Sequence, residues 1–110
     1  MEQERQKALL VGANIDFEKD FDEKMDELER LANACEIDVI SREIQNLYEI
    51  NRALYIGKGK AEEISKIADT LNVDLVIFNN ELSPTQLRNL QDIINCSVLD
   101  KTSLILEIFS

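Results

Sequence analysis

Gly57-Lys58-Gly59-Lys60 is the one run in this 110-residue chain whose residue types and spacing suit a phosphate. Successive backbone N–H groups, the N-terminus of a helix behind them and two ammonium groups all favour an anion. The chemistry would be binding, not bond breaking. The run is not GxxxxGK[ST], because Ala61 follows Lys60 and leaves no hydroxyl for magnesium, and it is not GxGxxG. Glu62 and Glu63 also oppose a phosphate. The simpler reading is a turn whose glycines accept positive φ. A small nucleotide-binding domain using this turn for phosphates is the alternative. Arg42, Arg52, Lys58 and Lys60 bring four of the chain's 12 cations into this neighbourhood.

The rest of the composition removes most other chemistry. Without a single His there is no Ser-His-Asp or Cys-His site, no imidazole base and no His metal ligand. Cys35 and Cys96 cannot form a CxxC or a zinc site alone, and both fall beside apolar stretches, as free thiols packed in a core do. No pair of carboxylates stands out as an acid/base couple. Acidic residues number 22, giving a net charge of −10, so phosphate backbones are repelled unless the cations are focused in one patch. No apolar run approaches the roughly 20 residues of a membrane span, and the first residues lack a signal core, which predicts a soluble, cytoplasmic protein.

The elements that must position the cations follow from periodicity. Residues 7–11 form a short apolar strand ended by a turn at Gly12-Ala13-Asn14. Phe21, Met25, Leu28, Leu31, Ala32 and Cys35 fall on one helical stripe, with Asp20 and Glu23 as its start signal. Residues 37–44 suit a half-exposed edge strand, 46–53 a loop, and 54–56 a short extended stretch. A helix after the glycines carries Ile64, Ile67, Ala68 and Leu71 inward, with Glu62 and Glu63 in its first turn. Residues 75–78 (LVIF) read as a central parallel strand. Ser83, Pro84 and Gln86 make a capping box for a helix with Leu87, Leu90, Ile93 and Ile94 inside. A strand at 97–99 precedes a last apolar segment beginning at Thr102.

This alternation predicts one α/β domain over 1–110, a mostly parallel sheet of about four strands flanked by helices. Ligands of such sheets sit beyond the carboxyl ends of the strands, here at Gly12-Ala13-Asn14, Asn79-Asn80-Glu81 and Asp100-Lys101-Thr102. Asn79, Glu81 and Asp100 are candidates for a polar site there. Capping and turn closure are the simpler reading for Asn80 and Asp100, and Arg88 with Asp92 reads as a surface helix pair. The apolar end, with Leu104, Ile105, Leu106, Ile108 and Phe109, carries no helix stop signal. It predicts a helix that docks on its own sheet or else meets a second copy in a weak homodimer.

Three segments taken together resemble a known family. Tyr55-Ile56-Gly57-Lys58-Gly59-Lys60-Ala61-Glu62-Glu63, Asn79-Asn80-Glu81-Leu82-Ser83-Pro84-Thr85-Gln86-Leu87-Arg88-Asn89-Leu90 and Leu99-Asp100-Lys101-Thr102-Ser103-Leu104-Ile105-Leu106-Glu107-Ile108-Phe109 are similar, in order and spacing, to the N-terminal domain of the HflX family of translational GTPases. The similarity runs from about Lys7 to the last residue. It departs from the family's commonest residues at Lys101, usually arginine, and Glu107, usually aspartate. The resemblance implies a ribosome-associated GTPase that acts on the large ribosomal subunit to split or rescue ribosomes. It further implies that the chain is a piece of a longer protein. GTP and magnesium would belong to a following GTPase domain, since GxxxxGK[ST], DxxG and NKxD do not occur in these 110 residues. This domain would bind and regulate, without catalysis, metal or cofactor of its own. Gly57, Lys58, Gly59, Lys60, Arg88 and Asn89 carry over as candidate contacts to rRNA or to the neighbouring GTPase domain, and Arg52 joins them from the cluster of cations.

The capping box generates a stability prediction. Ser83→Ala removes one helix-start hydrogen bond and is expected to cost about 1 kcal/mol, read as a lower denaturant midpoint. An unchanged midpoint would mean that the helix starts elsewhere.

Overall fold

Strands that are apolar at every position cannot leave either face in water, and two such runs organise this molecule. In the computed structural model, which describes residues 5–108, β1 (Gln6–Ile15) and β3 (Leu75–Phe78) lie parallel, Ala8 opposite Leu75 and Val11 opposite Phe78. β2 (Ile37–Leu47) pairs with the other side of β1, and β4 (Ser97–Asp100) with β3. The parallel order is β2-β1-β3-β4, the expected α/β architecture, with β1 and β3 central and β2 at an edge. Parallel neighbours need crossovers, which the helices supply. α1 (Phe21–Ala34) and α4 (Lys101–Ile108) cover one face, where Ala8, Leu10, Leu75 and Ile77 meet Phe21, Met25, Leu28 and Leu104. α2 (Lys58–Leu71) and α3 (Pro84–Ile93) cover the other, where Leu9, Val11, Val76 and Phe78 meet Ile64, Ala68, Leu90 and Ile94.

Three local expectations are corrected by tertiary contacts. β1 does not end at Val11 but continues through Gly12-Ala13-Asn14 to Ile15, because β2 pairs with it residue by residue as far as Leu47. Gly12 therefore serves close packing, not a turn. A Cβ on it would lie 2.6 Å from the Met25 sulfur and 2.6 Å from the Phe21 ring, so α1 rests directly on its backbone. The extended stretch at 54–56 is instead the return of a tight turn. Asn51 and Tyr55 bond reciprocally, N–H to C=O at 2.9 and 2.7 Å, and Tyr55 takes a left-handed φ of 67°. Asp20 does stand at the N-cap of α1, yet its carboxylate caps no helical N–H and lies 4.0 Å from the Lys24 ammonium.

Polar side chains extend the ladder where backbone runs out. Below β3, Asp74 accepts from the Lys7 N–H at 2.8 Å while its own N–H donates to the Lys7 carbonyl. Above it, Asn80 accepts from the Ala13 N–H and donates to the Ala13 carbonyl, imitating one more residue pair. Asp100, almost fully buried, accepts from the N–H groups of Leu82 and Ser103 and so starts α4 at Lys101, one residue before the expected start. Leu104 is buried against α1, so the terminal segment docks on its own domain, while Leu106 stays exposed and Phe109 lies outside the described residues. Among the described residues no helix is long and apolar enough to cross a membrane.

Two glycines separate packing from propensity. Gly12→Ala is expected to destabilise by about 1–3 kcal/mol through overpacking against Phe21 and Met25. Gly59→Ala, whose Cβ meets nothing within 4 Å, is expected to stabilise α2 by up to about 1 kcal/mol. Paired denaturant titrations check both, and the same sign for the two would contradict this assignment.

Candidate functional site

The Gly57–Lys60 run is not a loop. Gly57 is the N-cap of α2 with extended backbone (φ −67°, ψ 151°), and Lys58, Gly59 and Lys60 are the helix's first turn. No described glycine has positive φ, so the expectation of a left-handed glycine turn fails, and Glu62 and Glu63 follow the first turn instead of forming it. The first α2 bond runs from the Ala61 N–H to the Gly57 carbonyl, which leaves the N–H groups of Lys58, Gly59 and Lys60 outside the helical ladder. Gly57's own N–H donates to the Gln45 amide oxygen at 3.2 Å. Lys60 is largely covered and committed, its ammonium 3.1 Å from Glu43 and 3.5 Å from Glu63. The turn retains positive dipole ends and the exposed Lys58, and offers no hydroxyl beside Lys60 for a magnesium–nucleotide.

The expected four-cation patch does not form. Successive residues of a strand point to opposite faces. Arg42 accordingly turns to α1, 2.7 Å from Asp26 and 3.1 Å from Glu29, while its neighbour Glu43 turns to Lys60 on the α2 side. Hydrogen bonding to Asp26, opposed by burial and joined by Glu29, holds the Arg42 proton more firmly than usual. Both Arg42 and Lys60 are therefore spent within the fold.

What does converge is the turn at 51–55 on the start of α3. The Asn51 side chain accepts from the N–H groups of Ala53 and Leu54 at 2.8 and 2.9 Å. Gln86, buried, closes the capping box by accepting from the Ser83 N–H, and its NH₂ donates to the Asn51 and Arg52 carbonyls at 3.3 Å each. Asn89 donates to the Ala53 carbonyl at 3.0 Å. Arg52 is thus held beside α3, whose exposed face carries Arg88, and the same chain segment leads into Lys58. Arg52, Lys58 and Arg88 are exposed and make no ion pair among the described residues; the expected Arg88–Asp92 pair does not form. Gly57, Gly59 and Lys60 shape this rim without facing outward as free charges, and Asn89 is structural.

Beside the rim, a cleft of about 480 Å³ opens at the carboxyl ends of β1 and β3, where the chain's winding reverses. Ala13, Tyr55, Asn79, Asn80, Lys24 and Lys101 line it. The Asn80 amide reaches the Tyr55 hydroxyl at 3.3 Å, tying cleft to turn, and the buried Asn79 amide oxygen has no hydrogen-bond partner. Asp100 serves as a cap rather than a cleft group. Lys24 bonds Glu18, which raises its pKa against the pull of burial, with Asp20 adding to the rise, and Lys101 lies 3.5 Å from Glu27. No three His, Cys, Asp or Glu side chains are placed to hold a metal among the described residues. Cys35 and Cys96 are free thiols, raised by burial first and by nearby carboxylates second.

Sequence reasoning missed Asn51, Tyr55 and Gln45 as positioning groups. Asn51 two residues before Ala53 is the Asx-turn signal that marks the first of them; the other two act across the fold. Gln86→Ala should leave the Arg52 carbonyl and the Ser83 N–H without partners and leave the Asn51 carbonyl with the Tyr55 N–H alone. The expected cost is about 1–3 kcal/mol, with faster hydrogen exchange at Ala53 and Leu54. Exchange at the parent rate would show that another group holds the turn.

Residues 22–110 match the family described as GTP-binding GTPase N-terminal. The GTPase HflX of Caldanaerobacter subterraneus is 41% identical over 107 residues, covering 97% of this chain and 24% of the relative. That of Escherichia coli is 31% identical over 105 residues, covering 96% of the chain and 24% of the relative. Among solved structures, a GTP-binding protein of the archaeon Sulfolobus solfataricus in complex with GDP is similar, with a TM-score of 0.66 and 25% identity, over 94% of this chain and 30% of that one. The chain spans about a quarter of the length of the curated relatives it matches. Over almost its whole length, then, its residues and its fold agree with one group of proteins, and the chain belongs to the GTP-binding GTPase N-terminal family, whose relatives here are HflX GTPases.

Proposed function

We propose that this domain binds the large ribosomal subunit through rRNA and regulates an adjoining GTPase domain in the cytoplasm, as part of a protein that splits or rescues ribosomes. GTP hydrolysis and its magnesium belong to that GTPase domain, and this domain contributes contact and control. One observation carries the reading: Arg52, Lys58 and Arg88 are exposed and make no ion pair among the described residues, in a chain whose net charge is −10. The starts of α2 and α3 add their dipoles to the rim. In a protein this acidic, three exposed cations without carboxylate partners are suited to phosphate oxygens, with Asn89 and Gln86 fixing the turn that carries Arg52. Phosphates of a bound small nucleotide are a poorer fit, since Lys60 is committed to Glu43 and Glu63.

Sedimentation with purified large subunits tests the proposal. The Arg52→Ala/Lys58→Ala/Arg88→Ala variant is expected to bind more weakly and to flatten the log Kd against log salt slope by about 2–3. Unchanged affinity and slope would remove the rim from the interface.

A further inference from the structure

Among the described residues six large apolar side chains are exposed, and four of them fall on β2 or within three residues of its end, with Phe17 against one of these. Ile40 and Ile44 lie on β2, Tyr48 and Ile50 just beyond it, and the Phe17 ring sits 5.4 Å from that of Tyr48, edge to face. Tyr48 is 82% exposed. β2 is an edge strand hydrogen-bonded to β1 alone, so the outward N–H and C=O groups along its 11 residues have no strand partner among the described residues. Protein edges are ordinarily short, charged or bulged against pairing. Here the single register shift falls opposite Ala8 and Leu9 and leaves 41–47 regular. Asp16 and Phe17 hold left-handed φ values of 59° and 53°, a conformation a bulky ring rarely adopts, and Phe17 remains half-exposed beside Tyr48.

Charge selects the occupant. Arg42 is already held by Asp26 and Glu29. Residues 16–20 and 48–50 contain four acids against Lys19 within them and Lys24, which reaches Glu18 and Asp20, so the flank stays net negative. Nucleic acid meets like charge on this surface, and so does a second copy of a chain with net charge −10. We propose that the free edge of β2 is a docking strip for an extended, lysine- or arginine-bearing segment of a separate protein. The segment adds as a fifth strand, bonding the outward backbone of 41–47 and resting apolar side chains on Ile44, Tyr48 and Phe17. None of Arg52, Lys58 or Arg88 takes part, so the strip stands independently of the ribosomal RNA reading.

The probe is a labelled peptide of about ten residues alternating lysine and valine, a length suited to one strand. A second peptide has the same charge but proline at alternate valines, which removes N–H donors. Anisotropy titration is expected to show binding of the first that weakens with salt, with hydrogen-exchange protection confined to 41–47 and its flanks. The proline peptide should bind at least about tenfold more weakly, as should the first peptide to Ile44→Lys and to Tyr48→Ala. Both side chains are exposed, and circular dichroism reports whether the variants stay folded. Equal binding of the two peptides, or no loss in both variants, overturns the proposal. Protection of 41–47 in a dimer without peptide, or displacement of the peptide by a short single-stranded RNA, also overturns it by naming another occupant.

Discussion

Double-sided burial of β1 and β3 is the constraint on which everything else depends. Residues 8–13 and 75–78 are all buried, so each face of the central sheet must be roofed by helices. That demand explains why α1 comes close enough to need a glycine at position 12, and why α4 folds back to bury Leu104. It also sets where a binding surface is available. With both faces occupied, the strand ends, the helix starts and the outer edges of β2 and β4 remain for partners. Lys58 stands at the start of α2, Arg52 in the turn against α3 and Arg88 on α3 itself, while Ile40 and Ile44 lie on β2 and Tyr48 and Ile50 just beyond it.

Electrostatics divides those surfaces by partner. Most acidic side chains are solvated, but a few neutralise cations that a linear reading groups together. Arg42 and Lys60 are separated by the sheet itself, each drawn to carboxylates on its own side. What survives at the α2–α3 rim is positive and small, and the β2 side is apolar with acidic flanks. The two proposed surfaces therefore differ in chemistry, and no residue is shared between them. Attractions of this size depend on ionic strength, since exposed charges are screened beyond about 10 Å at ordinary salt.

Short polar side chains hold the functional edge in shape by standing in for backbone. Asn80 completes β1, Asp100 starts α4 and anchors Leu82, and Asn51 folds the turn that Gln86 and Asn89 clamp. Each satisfies N–H or C=O groups that would otherwise be stranded where regular structure stops. Order at the rim thus comes from amides and carboxylates. Asn80 and Asp100, which might be mistaken for ligand groups, are already engaged.

How much was legible in the sequence divides along the range of the interactions. Periodicity and local capping act within one element, so the sequence by itself determined the α/β alternation, the central positions of 8–11 and 75–78, the edge place of β2 and the Ser83–Gln86 box. The three matched segments likewise identified the family, because residue order is all that such a resemblance requires. Tertiary structure alone decided that β1 continues past Gly12, since the reason is a partner strand and a helix more than ten residues away. It alone decided that Gly57 to Lys60 begin a helix, that Tyr55 turns left-handed, and that Arg42 and Lys60 are spent while Arg52, Lys58 and Arg88 are not. The physical reason is the same each time. A local pattern fixes which way a side chain points along its own element, whereas its partner, and hence its remaining charge, depends on which elements the core brings alongside.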